Sequence, residues 1–301
     1  MQFRRIKKNV NGVLLLDKPL GFSSNQALQK VKWLYSAAKA GHTGTLDPLA
    51  TGLLPICLGE ATKFAQYVTD ADKTYFATIK LGATTITGDA EGEVLTTAPV
   101  NVSPTQFSAA CQQFIGEVSQ MPPMYSALKH EGRALYEYAR EGVDIARQSR
   151  IIHISNITVE NFEADIAQIT VTCSKGTYIR TLAEDIGATL GCGAHLIGLR
   201  RTETAGYLLP QAVTIEQLEA IPIEARKSLL LPVDSAIESL PVVTLNADAT
   251  FYLMQGQAVW QAGKMPIGDM RLYDEQNNFL GLGCMQDDGK IAPKRLIQKT
   301  I

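Results

Sequence analysis

Apolar positions along this chain fall into short buried runs and helical stripes, separated by clusters of Gly, Pro, Ser and Thr. Gly12–Asp17 (GVLLLD) is an apolar run closed by Asp-Lys-Pro, which predicts a buried strand entering a turn. Ser23 or Ser24 is placed to cap the next helix, where Leu28, Val31 and Leu34 recur at spacing three. Ala40–Gly52 (AGHTGTLDPLATG) is thick in Gly, Thr and Pro and predicts a loop of defined shape. Leu53–Leu58 reads as a buried strand, Ala61–Val68 as a short helix and Thr74–Leu81 as an alternating strand, with Thr84–Gly92 as a polar connection.

Further on, Ser103-Pro104-Thr105-Gln106 is a strong helix start, predicted to run to Gly116. Pro122-Pro123 stops regular structure. Met124–Arg150 is polar and charge-rich, with a short helix around Ala134–Arg140. Ile151–Val159 and Ala167–Cys173 look like paired strands, and Ser174-Lys175-Gly176 turns the chain into a helix, Thr177–Leu190, closed by Gly191. Another short helix opens at Thr214. Beyond about residue 240 short β-like pieces (Val242–Leu245, Met270–Tyr273, Phe279–Cys284) alternate with Gly, Asp and Asn turns, so we divide the chain into 1–240 and a small module, 241–301.

Composition narrows the class. The 301 residues are 46% hydrophobic and 19% charged, which is globular rather than disordered. No apolar run approaches the ~20 residues that cross a bilayer, and the N-terminus lacks the apolar core of a secretory signal. Five scattered cysteines without a CxxC pair predict reduced thiols in a cytoplasmic protein, and neither a disulfide scaffold nor a CxxC-type zinc site. Net charge is −2, but residues 1–80 hold eleven Lys and Arg against five Asp and Glu. That surplus is either an anion-facing surface or an ordinary solvated one.

Candidate chemistry centres on the Ala40–Gly52 loop, which carries His42, Thr43, Thr45 and Asp47. Pro48 biases Asp47 towards extended backbone, so its carboxylate is either a partly desolvated nucleophile or base, or a group that bonds the amides of its own turn. The loop lacks the Gly-Lys-Ser/Thr element of a nucleotide-hydrolysing phosphate loop. Arg180, in SKGTYIR, is either the partner of a buried acid or a helix-surface arginine. Tyr75 is either a core tyrosine or a base-stacking platform. His130, His153 and His195 lack metal-ligand spacing, Asp89–Glu93 reads as a solvated turn, and Trp33 and Trp260 read as packing residues.

Six segments together resemble the tRNA pseudouridine synthase B (TruB) family. They are GVLLLDKPLGFSSN (12–25), AGHTGTLDPLATGLLPICLGEATKF (40–64), KTYFATIKLG (73–82), MPPMYSALKHEGRALYEYAREG (121–142), SKGTYIRTLAEDIG (174–187) and HLIGLRRTETAG (195–206). The resemblance implies an α/β (α+β) fold: a mixed, largely antiparallel sheet with flanking helices in a catalytic domain, 1–240, plus a small β-barrel-like (PUA-like) RNA-binding module, 241–301. It implies isomerisation of uridine-55 in the T-loop of tRNA, without metal or cofactor, by a cytoplasmic monomer that meets the T-arm stem-loop and no membrane. By the same resemblance Asp47 is the essential aspartate, Tyr75 stacks on the base, and Arg180 is the basic partner of Asp47. Tyr178 and Leu199 line the pocket, His42 lies beside the flipped nucleotide, Lys18 is the lysine of the DKP motif, and about 124–150 is a mobile loop that closes over RNA. Thr45 stands where the family commonly has Ala. Two other readings remain: a non-catalytic RNA-binding or RNA-folding protein, which the loss of Asp47 or Arg180 would mark although both are present, and a glycosidase-like hydrolase, which would need a second carboxylate and an admitted water, with no paired acid evident near Asp47. An RNA-folding role alongside catalysis is compatible with the sequence.

Overall fold

The computed structural model describes residues 6–263 and 266–298. Its centre is a nine-stranded mixed sheet. Seven strands run side by side in the order Gly12–Lys18, Ala50–Leu58, Ala194–Thr204, Lys73–Leu81, Ile166–Cys173, Arg150–Glu163 and Gly116–Gln120. Ala40–His42 pairs with Ala50–Leu58, and Tyr207–Leu208 with Ala194–Thr204. All these pairings are antiparallel except that of Ala50–Leu58 with Ala194–Thr204. The mixed, largely antiparallel sheet is therefore as expected.

Helices Ser24–Leu34, Pro104–Gln112 and Ile179–Thr189 lay apolar stripes on this sheet, where Leu28, Val31, Phe107, Leu182 and Ile186 join the main core. Both predicted caps form. Ser23, not Ser24, caps the first helix in a reciprocal box with Gln26, and Ser103 does the same with Gln106. Each such cap contributes about 1 kcal/mol.

Several boundaries differ from the sequence reading. The helix from Pro104 stops at Gln112, because Gly116 (φ +106°) already starts a strand. Ala61–Val68 divides into a 3-10 turn, Gly59–Lys63, and a short helix, Ala65–Asp70. Strands enter the Ala40–Gly52 segment from both ends, which leaves 43–49 as the loop. Ala194–Thr204 is a strand that periodicity does not reveal. It holds His195, Arg200 and Arg201 yet lies third in the sheet.

The C-terminal residues form a four-stranded sheet, Val242–Leu245, Asp269–Asp274, Phe279–Met285 and Ile291–Leu296, with helix Ala247–Met254. Val243, Leu253, Met270, Leu272 and Ile291 give it a separate core. Phe279 and Leu282 also reach a second cluster around Phe64, Leu53 and Tyr207, which seats the module on the larger part.

Candidate active site

Three adjacent strands assemble the site. The loop 43–49 feeds into Ala50–Leu58; next to that strand runs Ala194–Thr204 with Leu199 and Arg201, and next again Lys73–Leu81 with Tyr75. The registers Leu199↔Ala77 and Arg201↔Tyr75 put these side chains on one face. The helix start at Tyr178–Arg180 covers that face. The cavity, about 690 Å³ and open on one side, is lined by six of the seven predicted residues: His42, Asp47, Tyr75, Tyr178, Arg180 and Leu199.

Local contacts fix the aspartate loop. Ser24 is buried at the helix start, and its hydroxyl donates to the Leu46 carbonyl at 2.9 Å and accepts from the Leu46 amide at 2.7 Å. Gly21 N–H donates to the Pro48 carbonyl at 2.9 Å. The carboxylate itself meets Arg180 rather than its own turn: Asp47 Oδ2 lies 3.0 Å from Arg180 Nη2. Arg180 is no surface residue. Its side chain is 6% exposed and donates to the carbonyls of Thr87 (2.9 Å) and Tyr125 (2.7 Å), while Asp47 keeps 39% of its side chain open towards the cavity.

A second acid completes this arrangement. Asp89 Oδ2 lies 3.6 Å from Arg180 Nη1, and Asp89 is buried. Its other oxygen accepts from the Thr87 hydroxyl at 2.6 Å and from the Glu91 amide at 3.1 Å. The reading of Asp89–Glu93 as a solvated turn is thus corrected for Asp89, and so is the expectation that no acid stands near Asp47. Burial raises the pKa of Asp47 above the ordinary carboxylate range; Arg180 and Lys18 pull it down, Asp89 pushes it further up, and the upward effects win.

The comparisons with known proteins agree along the whole chain. Residues 32–179 match the profile of the TruB family pseudouridylate synthase N-terminal domain. Residues 180–238 match the tRNA pseudouridylate synthase B C-terminal domain, and 241–297 the pseudouridine synthase II TruB C-terminal profile. The tRNA pseudouridine synthase B of Methylobacillus flagellatus is 61% identical over 300 residues, covering 100% of this chain and 99% of that protein. The chain belongs to the TruB family. The Aeromonas salmonicida enzyme of the same name is 52% identical, covering 98% of this chain and 96% of its own. Among solved structures, a chain of a Cbf5–Nop10–Gar1 complex superposes with a TM-score of 0.70 at 27% identity, over 95% of this chain and 84% of that one. An H/ACA RNP bound to a substrate RNA gives 0.70 at 22% identity and shares the fold. As a TruB-family pseudouridine synthase the chain is an isomerase.

The remaining site residues have distinct surroundings. Tyr178 is gripped by buried Gln120, whose amide donates to the Tyr178 carbonyl at 3.0 Å and accepts from its N–H at 2.8 Å. Neither Gln120 nor Asp89 stands out in sequence, because each acts only through a residue distant along the chain. Lys18 does not line the cavity. Its ammonium is buried and donates to the carbonyls of Pro19 and Phe22, and burial lowers its pKa to about 8, against the pull of Asp47. His42 has its pKa lowered by burial and by Arg201, and its Nδ1 is buried without a hydrogen-bond partner.

Charge along the N-terminal part is committed only in part, and Lys7, Lys8 and Lys39 are exposed. Lys18 and Lys73 are buried, Lys30 pairs with Glu219, and Lys63 with Glu60, while Arg4 and Arg5 lie outside the described residues. In the C-terminal module Arg271 pairs with Asp234 (3.0 Å), Lys294 with Asp269 (2.7 Å) and Lys290 with Asp288 (3.3 Å). Lys264 and Lys299 lie outside the described residues. Among those residues no group of three or more His, Cys, Asp and Glu is placed to hold a metal ion, and no helix is long and apolar enough to cross a membrane.

Proposed function

We propose that the chain converts uridine-55 in the T-arm of tRNA to pseudouridine, with Asp47 as the reacting carboxylate. The observation that carries this reading is the open face of Asp47 in the cavity, with its other side paired to buried Arg180. The names of the relatives support tRNA as the substrate. A cavity of about 690 Å³ falls in the size range of small-ligand sites, roughly 300–1,000 Å³, and so suits one extruded nucleotide.

The chemistry asks little beyond such a pocket. The N1–C1′ bond breaks, the uracil turns, and C5 joins C1′. No atom is gained or lost, so the reaction consumes no co-substrate. The detached base must be retained and water kept out, which Tyr75, Tyr178 and Leu199 serve on the walled side and bound RNA on the open one. Arg180 holds the carboxylate in place and favours its charged form. Stacking on Tyr75 offsets part of the few kcal/mol spent on extrusion. Ser126, Ala127, Leu128 and Arg150, all within 124–150, line the pocket, which supports reading that stretch as the loop that closes over RNA. We assign 1–240 to the catalytic domain and 241–301 to a module that touches RNA outside the T-loop. The five free cysteines suit the cytoplasm.

A uracil-releasing hydrolase is disfavoured by a specific observation. Asp89 is the nearest second acid, but it does not line the cavity, and its oxygens are spent on Arg180, Thr87 and Glu91. Incubating unmodified tRNA with the protein and mapping pseudouridine tests the proposal. We expect modification at position 55 and no free uracil. Modification elsewhere in tRNA, or free uracil, would overturn it.

A further inference from the structure

Arg201 heads the largest fully buried side chains of this protein, at 0% exposure, and no carboxylate pairs with it among the described residues. Its Nε donates to the Leu53 carbonyl at 2.7 Å and its Nη2 to the Gly44 carbonyl at 3.2 Å. Nη1 is buried and donates to nothing. A guanidinium removed from water without an anion is costly, so its retention in the wall of the pocket calls for a group that answers its charge.

Position identifies that group. Arg201 stands directly opposite Tyr75 across the antiparallel pair Ala194–Thr204 and Lys73–Leu81, which puts both side chains on the cavity face with Cβ atoms about 4.5–5.5 Å apart. Gly44 closes a further side: a Cβ there would lie 3.4 Å from both Arg201 Nη1 and Lys73 Cε. Because Nη1 is sealed from solvent, an RNA phosphate cannot reach it without displacing protein. What responds to the charge is therefore a neighbouring protein group. Lys73 is itself a cation, and its ammonium is spent on the carbonyls of Thr69 and Ala71. Tyr75 remains.

We propose that Arg201 is a positioning residue that acts through Tyr75, holding the phenol against the base and lowering the cost of negative charge on its oxygen. The inference rests on the reading of Tyr75 as a member of the reacting site. Burial makes the Tyr75 hydroxyl harder to ionise, and the Arg201 charge works against this. The other ionisable groups that face the phenol are Cys173, from the strand on its far side, and Asp47, from the loop. Both oppose a phenolate, so Arg201 is the cation among the groups that favours one.

The test is a double-mutant cycle on single-turnover conversion of a T-arm transcript, with wild type, Arg201→Gln, Tyr75→Phe and the double variant. We expect Arg201→Gln to slow the chemical step about tenfold or more with RNA binding nearly unchanged, and to slow it less than about twofold once Tyr75→Phe is present. Equal slowing in both backgrounds would show that Arg201 only braces Gly44 and Leu53, and would overturn the inference. So would a Tyr75→Phe variant that reacts at the wild-type rate. Where Tyr75→Phe is too slow to measure, difluorotyrosine placed at position 75 gives a fluorine NMR titration that needs no turnover. Its midpoint should rise by about one pH unit or more in Arg201→Gln, and by less in the better-folding Arg201→Lys; an unmoved midpoint in both overturns the inference. If the wild-type protein makes no pseudouridine, the proposed function fails while this titration still reports on Arg201.

Discussion

Two arginine–aspartate pairs in this molecule, each with one buried member, have nearly the same parts and different consequences. In the pocket, Arg180 lies between Asp47 and Asp89, and Asp47 keeps one side open to the cavity. At the seat of the C-terminal module, Arg271 meets Asp234 at 3.0 Å and donates through Nε to the Leu240 carbonyl at 3.1 Å, while the Tyr273 hydroxyl donates to the same carboxylate. Asp234 is 7% exposed and closed on that side as well; Tyr273 has its pKa pushed up to about 12, by burial first and by Asp234. A buried ion pair becomes a reactive group when one partner faces space that a substrate can fill. Sealed on all sides, the same pair is a fastener.

That contrast breaks most visibly at the two aspartates. Asp47→Asn keeps the shape and removes the reacting charge, so single-turnover conversion should fall by at least about 10³-fold while tRNA binding and the thermal transition persist. Asp234→Asn should do the reverse, lowering the transition with conversion close to normal. Appreciable turnover by Asp47→Asn would remove it from the reaction. The arginines come next. Arg180→Met should slow the chemical step far more than binding, and Arg180→Lys should not restore it, because lysine lacks the planar fork. Arg271→Met strands a mostly buried carboxylate and should cost about 3 kcal/mol in denaturant unfolding, without an effect on the single-turnover rate.

A finer prediction concerns pH. With Asp47 as the proposed reacting carboxylate, its raised pKa predicts that conversion falls as acid is added while ordinary carboxylates are still charged. Asp89 contributes to that rise. Asp89→Asn should move the acidic limb to lower pH, and lower its plateau because Arg180 loses an anchor; a limb that stays in place would separate Asp89 from the titration of Asp47. The smallest effect belongs to the module. With Arg271, Lys290 and Lys294 already paired, Arg295→Gln should change the slope of log affinity against log salt by no more than about 0.9, the share of one phosphate contact. A larger change would make the module a principal RNA grip.

Local signals made much of this legible. Caps at Ser23 and Ser103, the alternation of Thr74–Leu81 and the left-handed Gly191 (φ +76°) are set by a few neighbouring residues, and the structure has all of them. Asp47 and Arg180 were legible as well, one in a Pro-fixed loop and the other at a helix start, because special backbone geometry leaves a compositional trace. Asp89 left none. DAEGE is a charge-rich turn, and the counter-charge that helps Thr87 and the Glu91 amide make burial of its first acid tolerable comes with Arg180 from a distant helix. Ala194–Thr204 was equally hidden, since a strand with His195, Arg200 and Arg201 has no apolar alternation to show.

The sequence by itself determined the local elements and the two segments that carry Asp47 and Arg180, each encoded within a dozen or so consecutive residues, and the family, which six such segments between 12 and 206 carry together. The tertiary structure decided which of the two acids near Arg180 stays open, that Lys18 braces rather than lines the pocket, and that Arg201 faces Tyr75. Those are questions of strand order and burial. Sheet register pairs residues from opposite ends of a domain, and whether a charge is costly or useful depends on what that pairing removes from water.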